Sequence, residues 1–213
     1  KKELGSNIQL KVLSNTENKG PCHRRNQGAK QSQSEFITFV DDDDYWLDNY
    51  LQTAFEVISE KQTQFDVFYA SGYVENSANE RTVRFKDSLG NFYEKILSIN
   101  FILSPGIIIK KSAFNAVGGF SEKLPSSQDW DLWVRLAKSF RFYGIDQPLV
   151  VHVEHSESRI SNSPKRHLGY KLFYKSHLKE FQKSNLPAPT KLKALAYSSL
   201  PASTMWLLKR FIS

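Results

Sequence analysis

Apolar residues recur along this chain with two periods, and the predicted elements follow from them. Ile8, Leu10 and Val12 stand at every second position, which predicts a strand over Ile8–Leu13. After the turn-rich Asn15–Gly20, Pro21 suits the first turn of a helix, where its missing N–H costs nothing, and that helix is expected to reach about Ser32. Phe36–Val40, rich in β-branched and aromatic side chains, reads as a short buried strand. Between Leu47 and Lys61 the spacing of Leu51, Ala54, Phe55 and Ile58 predicts a helix. Asp66–Val74 reads as the next strand, Asn76–Glu80 as its turn, and Thr82–Phe85 as the returning arm of a hairpin.

The second half continues the alternation. Asn91–Phe101 is expected to be helical in part, and Ser104-Pro105-Gly106 leads into a buried strand at Ile107–Ile109. A short helix over Ser112–Val117 should stop at the paired Gly118-Gly119, since glycine favours the position just past a helix end. Gln128–Phe140 reads as a helix with Trp130, Leu132, Trp133 and Leu136 on its apolar side. Phe142–Ile145 and Leu149–Val153 are two late strands, and the chain from Lys165 onward looks helical. Strands alternating with helices predict an α/β fold with a mostly parallel sheet flanked by helices. No internal repeat is present.

Composition narrows the class. With 213 residues, 40% of them hydrophobic, the chain can bury one sizeable core plus an appendage. Its single cysteine, Cys22, excludes a disulfide framework and a cysteine-rich zinc site, and fits a reducing compartment. No apolar run approaches the roughly 20 residues needed to span a bilayer, and no secretory signal precedes the first strand. A cytoplasmic location is therefore expected. The formal charge of +7 is unevenly spread. Residues 165–213 hold ten Lys or Arg against one acidic residue, Glu180, a net of +9, whereas residues 1–164 carry a net of −2. A near-neutral body is followed by a strongly basic tail.

The feature richest in chemistry is Asp41-Asp42-Asp43-Asp44, set directly after the strand at Phe36–Val40. Carboxylates crowded this closely repel one another and call for a compensating cation. A hard divalent ion such as Mg²⁺ or Mn²⁺, which prefers oxygen ligands and can bridge to phosphates, is the natural candidate. The end of a buried strand is also where open α/β sheets place their ligands. A plainer alternative stands beside this one: the run is a solvated loop capping the helix near Leu47.

Three stretches now stand in order. Asn18 to Gly28 is a glycine turn and helix start carrying Arg25-Asn26; Phe39-Val40-Asp41-Asp42-Asp43-Asp44-Tyr45-Trp46 follows; later come Gly118-Gly119-Phe120-Ser121-Glu122 and Gln128-Asp129-Trp130-Asp131-Leu132. This succession resembles the family 2 glycosyltransferases of the nucleotide-sugar-binding GT-A fold over roughly residues 7–160. The resemblance implies that Asp43 is the metal ligand and Asp41 lies nearer the sugar–nucleotide. Asp42 fills the variable middle position on the donor side, and Asp44 is a structural cap. Asp129 matches the catalytic base of an inverting transfer, against the plainer reading that it caps its helix. Gln128 stands where the family usually has Glu, on the acceptor side. Trp130 and Trp133 are more often core residues than a sugar platform, and Trp130 is the better candidate of the two for stacking on a sugar. Arg25 and Asn26 match a donor-site pair, although Arg25 could equally lock the Asp-rich loop by an ion pair. His155, with Ser158 and Ser161, resembles a family His that reaches the diphosphate or metal, against the plainer reading of a strand-end histidine, and Val153 stands where the family often has Arg.

The resemblance implies a glycosyltransferase that moves a sugar, with inversion and a divalent metal, from a nucleotide donor to a hydroxyl. The donor is expected to be a UDP-sugar and the acceptor a glycan or lipid-linked saccharide. Residues 1–160 would be a partial GT-A catalytic domain and 161–213 a basic amphipathic helical extension. The strand–helix–strand with which the family opens has no counterpart here, so the isolated chain is expected to be poorly stable or inactive. The alternative is a truncated, non-catalytic relative acting as a binding or assembly module. In the tail, Leu168, Leu172, Tyr174, Leu178 and Phe181 oppose Lys171, Lys175, Lys179 and Lys183. That pattern fits helices lying on an anionic membrane surface at the inner face of the plasma membrane, or helices packed on the body with lysines outward. Nucleic acid is not an expected partner, because no recognition motif accompanies the basic charge.

Overall fold

The computed structural model describes residues 8–78, 80–84, 91–154 and 164–201. Helix α1 (Gly20–Gln31) starts where Gly20 turns the chain at φ 82° and Pro21 occupies the first turn. The strand run becomes β1 (Phe36–Thr38). The acidic segment leads into a two-residue strand, β2 (Tyr45–Trp46), and then α2 (Tyr50–Lys61). A long strand β3 (Val67–Glu75) turns back as β4 (Arg81–Arg84), as the hairpin pattern predicts. Next come α3 (Phe92–Ser98), a 3₁₀ turn (Ser104–Gly106), β5 (Ile107–Lys110) and α4 (Lys111–Ala116). The chain continues through α5 (Gln128–Ala137) and β6 (Phe142–Val153) to α6 (Pro164–Ser176), α7 (Leu178–Lys183) and α8 (Ala188–Ser199).

The strands form one sheet in the order β1-β5-β3-β6-β2, with β4 continuing along β3 beyond β5. The α/β architecture with flanking helices holds, but the strand directions correct the expectation of a mostly parallel sheet. Among the described residues only β3 and β6 run parallel, while β1–β5, β3–β5, β3–β4 and β2–β6 are antiparallel. A continuous apolar run reports burial on both faces, not direction; direction is decided by the connections. The two late strands are one, β6, whose ladder with β3 shifts register near Ser71 and Pro148. Proline cannot donate to a ladder and sits where the pairing is irregular.

Both faces of the sheet are covered, which explains why Val67-Phe68-Tyr69-Ala70 is apolar throughout. Val67, Tyr69, Ile107 and Ile109 face a core shared with α1, α3, α5 and the C-terminal helices. Phe68, Ala70 and Ile108 face the opposite side with α2, Leu149 and Val150. The two faces alternate as a strand's period of two requires.

Two local expectations are corrected. Ile8–Leu13 joins no strand ladder among the described residues, and Ile8, Leu10 and Val12 are 60%, 74% and 81% exposed. Alternation permits a strand but supplies no partner for one. In α2 the buried face is Tyr50 and Ala54, with Val57 and Ile58 behind them, whereas Leu51 and Phe55 point outward. The inward face was hidden because Tyr50 reads as half-polar; its ring packs on Trp46 at 4.8 Å between centroids.

The basic extension shares the main core. Phe173, Tyr174, Phe181, Ala194 and Tyr197 are buried in the same cluster as Trp130 and Trp133. Phe173 stacks on Trp130 with ring centroids 4.0 Å apart. Replacing Phe173 with Ala should therefore cost about 3–5 kcal/mol of the stability of the whole protein in urea unfolding. A loss below about 1 kcal/mol, or a separate early transition of the helices, would show that α6–α8 fold apart from the body.

Candidate functional site

The acidic run closes a tight turn at one end of the sheet, with the Asp44 N–H donating to the Asp41 carbonyl at 3.2 Å. The turn joins opposite edges of the sheet, since β1 precedes it and β2 follows it. Each carboxylate has a different situation. Asp44 is anchored: its side chain is 1% exposed, His152 Nδ1 lies 2.9 and 3.0 Å from its two oxygens, and the Val153 N–H donates to it at 3.1 Å. Asp44 thus anchors the turn to β6 rather than capping a helix, since α2 has Asn49 at its cap position. Asp41 is paired with the Arg25 guanidinium reaching across from α1. Asp42 and Asp43 are exposed at the turn. Oxygens of Asp41, Asp43 and Asp44 lie within 4.8 Å of one another, and Asp42 stands outside this group. An all-oxygen donor set of this spacing fits a hard divalent cation such as Mg²⁺ or Mn²⁺.

Helix α1 delivers Arg25 and Asn26 to different tasks. Arg25 makes the ion pair with the acidic loop, and its guanidinium lies 5.4 Å from the Phe120 ring centroid. The Asn26 amide is a clamp. Its oxygen accepts from the Phe120 N–H at 2.9 Å and its nitrogen donates to the Phe120 carbonyl at 2.9 Å. Both amide ends thus engage the backbone of Phe120, and the nitrogen also donates to Glu122 Oε1 at 3.2 Å. Gly118 and Gly119 hold left-handed conformations at φ 78° and 69°. A Cβ on Gly119 would lie 2.7 Å from Asn26 Oδ1. The Arg-Asn and Gly-Gly-Phe stretches are therefore two halves of one contact.

Helix α5 begins after Ser127, held at φ 59°, the left-handed region that side chains other than glycine occupy at a cost of about 1–3 kcal/mol. Ser127, not Asp129, takes the cap position. One oxygen of Asp129, Oδ2, accepts from Asn100 Nδ2 at 2.9 Å and from Ser104 Oγ at 3.4 Å. Gln128 turns back and donates to the Leu124 carbonyl at 2.9 Å. An ionised glutamate could not make that bond. Trp130 is 7% exposed, its ring covered by Phe173 and its indole N–H donating to the Ile96 carbonyl at 2.6 Å. The expected sugar-stacking face is inside the core. His155 lies outside the described residues.

Some participants escape sequence reading. Asp131 is 4% exposed and joins His177 of the basic extension, at 2.9 Å, to Arg135 of its own helix, at 2.7 Å. Arg135 also donates to the carbonyls of Val117 and Gly119, so one side chain ties α5 to the glycine turn. Burial disfavours the charged Asp131, but hydrogen bonds from His177 and Arg135 outweigh it and hold the carboxyl below its ordinary range. The four-residue spacing of Asp131 and Arg135 was a legible signal; the reach to His177 was not. Cys22 sits within electrostatic range of Arg25, Glu122, Asp129 and Asp131, and burial raises its thiol pKa to about 11. Charges of the first and third motif stretches therefore surround Cys22 on α1, where an unreactive thiol fills space.

A sheet flanked by helices with an oxygen-donor cluster at one end is the arrangement of the GT-A fold class. The profile described as glycosyltransferase like family 2 matches residues 2–209, and the chain belongs to that family. WcaA of Escherichia coli (strain K12), provisionally named a colanic acid biosynthesis glycosyl transferase, is 27% identical over 184 residues, which cover 83% of this chain and 64% of WcaA. Among solved structures, S. aureus TarS (residues 1–349) in complex with UDP-GlcNAc superposes with a TM-score of 0.63 at 21% identity, over 89% of this chain and 56% of that one. The mannosyltransferase PcManGT of Pyrobaculum calidifontis, in complex with GDP-Man and Mn²⁺, gives 0.51 at 17% identity, over 95% and 62%. These likenesses establish the fold, and the chain spans 56–64% of the length of these three proteins.

Because the Asp131 carboxyl titrates lower folded than unfolded, its stabilisation is complete above its ordinary value of 3.8 and is lost as pH falls below it. Asp131→Asn should cost about 1.5–3 kcal/mol at neutral pH through a lost charged hydrogen bond. The gap between variant and parent in urea unfolding should narrow below pH 4; a gap independent of pH would contradict the ion pair.

Proposed function

We propose that this chain carries the metal-binding and base-bearing parts of an inverting glycosyltransferase. It would move a sugar from a nucleotide-sugar, taken to be a UDP-sugar, to a hydroxyl of a glycan or lipid-linked acceptor. The observation that carries this reading is the oxygen-donor group of Asp41, Asp43 and Asp44 in a member of this family. Asp43 and Asp41 would hold the divalent ion and the donor between them, with Asp42 at the rim, Arg25 fixing Asp41, and Asp44 fixing the turn. When bound, Mg²⁺ or Mn²⁺ supplies neutralisation of the charge that develops on the departing diphosphate. The complexes of TarS with UDP-GlcNAc and of PcManGT with GDP-Man and Mn²⁺ support a nucleotide-sugar and metal at a site of this kind.

Asp129 is assigned the base. Its carboxylate would take the proton of the acceptor hydroxyl as that oxygen attacks the anomeric carbon. The bond from that carbon to the diphosphate oxygen breaks, and the nucleotide diphosphate leaves with the electron pair. The bond to Leu124 supports a positioning part for Gln128 at the start of the base helix rather than a proton-transfer part.

The outward residues of the extension support contact with an anionic membrane surface. Leu168, Leu192, Leu195 and Leu200 are 43%, 64%, 48% and 37% exposed, and Lys175, Lys179 and Lys183 in the neighbouring turns are exposed too, while Tyr174 and Phe181, expected on the lipid side, are buried in the body. No helix of the described residues is long and apolar enough to cross a membrane, so the association would be peripheral.

Calorimetric titration with UDP and with GDP, with and without Mn²⁺, tests the metal site. Binding should require Mn²⁺ and weaken at least tenfold in Asp43→Ala; metal-independent binding would overturn the assignment. Asp129→Asn should keep donor binding and lose about 10²–10⁴-fold in turnover. Vesicles containing anionic lipid should sediment the protein at low salt and release it at high salt.

A further inference from the structure

The Asp129 carboxylate is held asymmetrically. Oδ2 accepts from both the Asn100 amide and the Ser104 hydroxyl, whereas Oδ1 accepts no hydrogen bond from a described residue. Both donors belong to the short segment between α3 and β5, and that segment is fixed at its other end. The indole N–H of Trp46 donates to the Pro105 carbonyl at 2.8 Å, and the Gly106 N–H closes the turn on the Leu103 carbonyl at 3.0 Å. Trp46 stands two residues after Asp44, in the strand that the acidic turn enters. A Cβ on Gly106 would lie 3.1 Å from the Ala70 carbonyl oxygen, so the turn also sits hard against β3. The 99–106 segment thus touches the acidic side of the site through Trp46 and the base side through Asn100 and Ser104.

We infer that Asn100 is a positioning residue for Asp129, assisted by Ser104, and that the Trp46–Pro105 bond sets their position relative to the acidic turn. The inference rests on the reading of Asp129 as the base. A carboxylate on a helix end has rotamers to choose from, and a base must present one lone pair along the line of the proton it takes. Two donors on Oδ2 select one rotamer and leave Oδ1 to meet the acceptor hydroxyl. The amide is the stronger constraint, because its nitrogen is closer and its plane cannot rotate away as a hydroxyl can. Asn100 itself would neither touch the sugar nor exchange a proton, so its loss should lower turnover and leave donor affinity alone.

The measurement is nucleotide release from a panel of UDP-GlcNAc, UDP-glucose and GDP-mannose with Mn²⁺, water serving as acceptor, on the full-length protein. The donor released fastest by the unsubstituted protein is then used with Asn100→Ala, Asp129→Asn and the double variant. Asn100→Ala should lower kcat by about 10–100-fold with the calorimetric donor Kd changed by less than about twofold. In the Asp129→Asn background, Asn100→Ala should add less than about twofold, because residues acting through one group are not additive. Ser104→Thr, which keeps the hydroxyl, should retain more activity than Ser104→Ala. An Asn100→Ala that turns over normally, that weakens donor binding as much as it slows turnover, or that adds its full effect to Asp129→Asn would overturn the positioning role alone. Asp129→Asn with normal turnover would overturn the base itself, and the positioning role with it.

Discussion

Adjacent carboxylates at the end of a sheet must each find a counterpart, and most of this site is built from the answers. Asp44 is sunk into β6 against His152 and the Val153 N–H, so the turn has a fixed pivot. Asp41 is drawn towards α1 by Arg25, and Arg25 in turn lies beside Phe120 of the glycine turn. Asn26, one residue on, grips that same turn by both backbone groups of Phe120. The glycine turn is tied through Arg135 to α5, the helix that bears Asp129. Compensation of charge at one point thereby fixes the relative placement of three separated segments. Oxygens of Asp41, Asp43 and Asp44 still lie within 4.8 Å of one another, a donor set that suits an oxygen-seeking cation.

Much of this was legible before coordinates. The three motif stretches could be read in order because their residue types are chemically unusual: consecutive aspartates, paired glycines, an Arg-Asn pair on a polar helix. What each residue touches was less legible. Asn26 and Trp130 look like ligand-binding side chains by type, yet one grips backbone and the other lies under Phe173. Amides and indoles are equally suited to interior and ligand contacts, so residue type alone does not decide between them. Asn100 carries no motif at all, because its partner stands 29 residues away. Strand direction was invisible for a similar reason: a two-sided apolar run looks the same in either orientation.

The basic extension shows how amphipathic patterning can mislead about which side faces where. Its aromatic side chains complete the core around Trp130, and His177 reaches Asp131 within the helix that bears Asp129. Lysines and a few leucines remain outside. Whatever meets that outer surface is separated from α5 by packed aromatic rings and one buried ion pair.

The acidic turn leaves one edge of the sheet and arrives at the other, and this has a kinetic consequence. Tyr45 pairs with Val151 and Thr38 with Ile108, partners separated by more than a hundred and by seventy residues. Closing such loops is slow, and contacts of this range form late unless local structure holds them. The partners that fix the Asp41–Asp44 turn, His152 and the Val153 N–H, therefore meet it only when the β2–β6 margin has zipped, and a half-folded chain holds the same four aspartates without them. Metal capture by this turn would thus report completed folding, and an ion bound there would act as a late lock on the long-range topology.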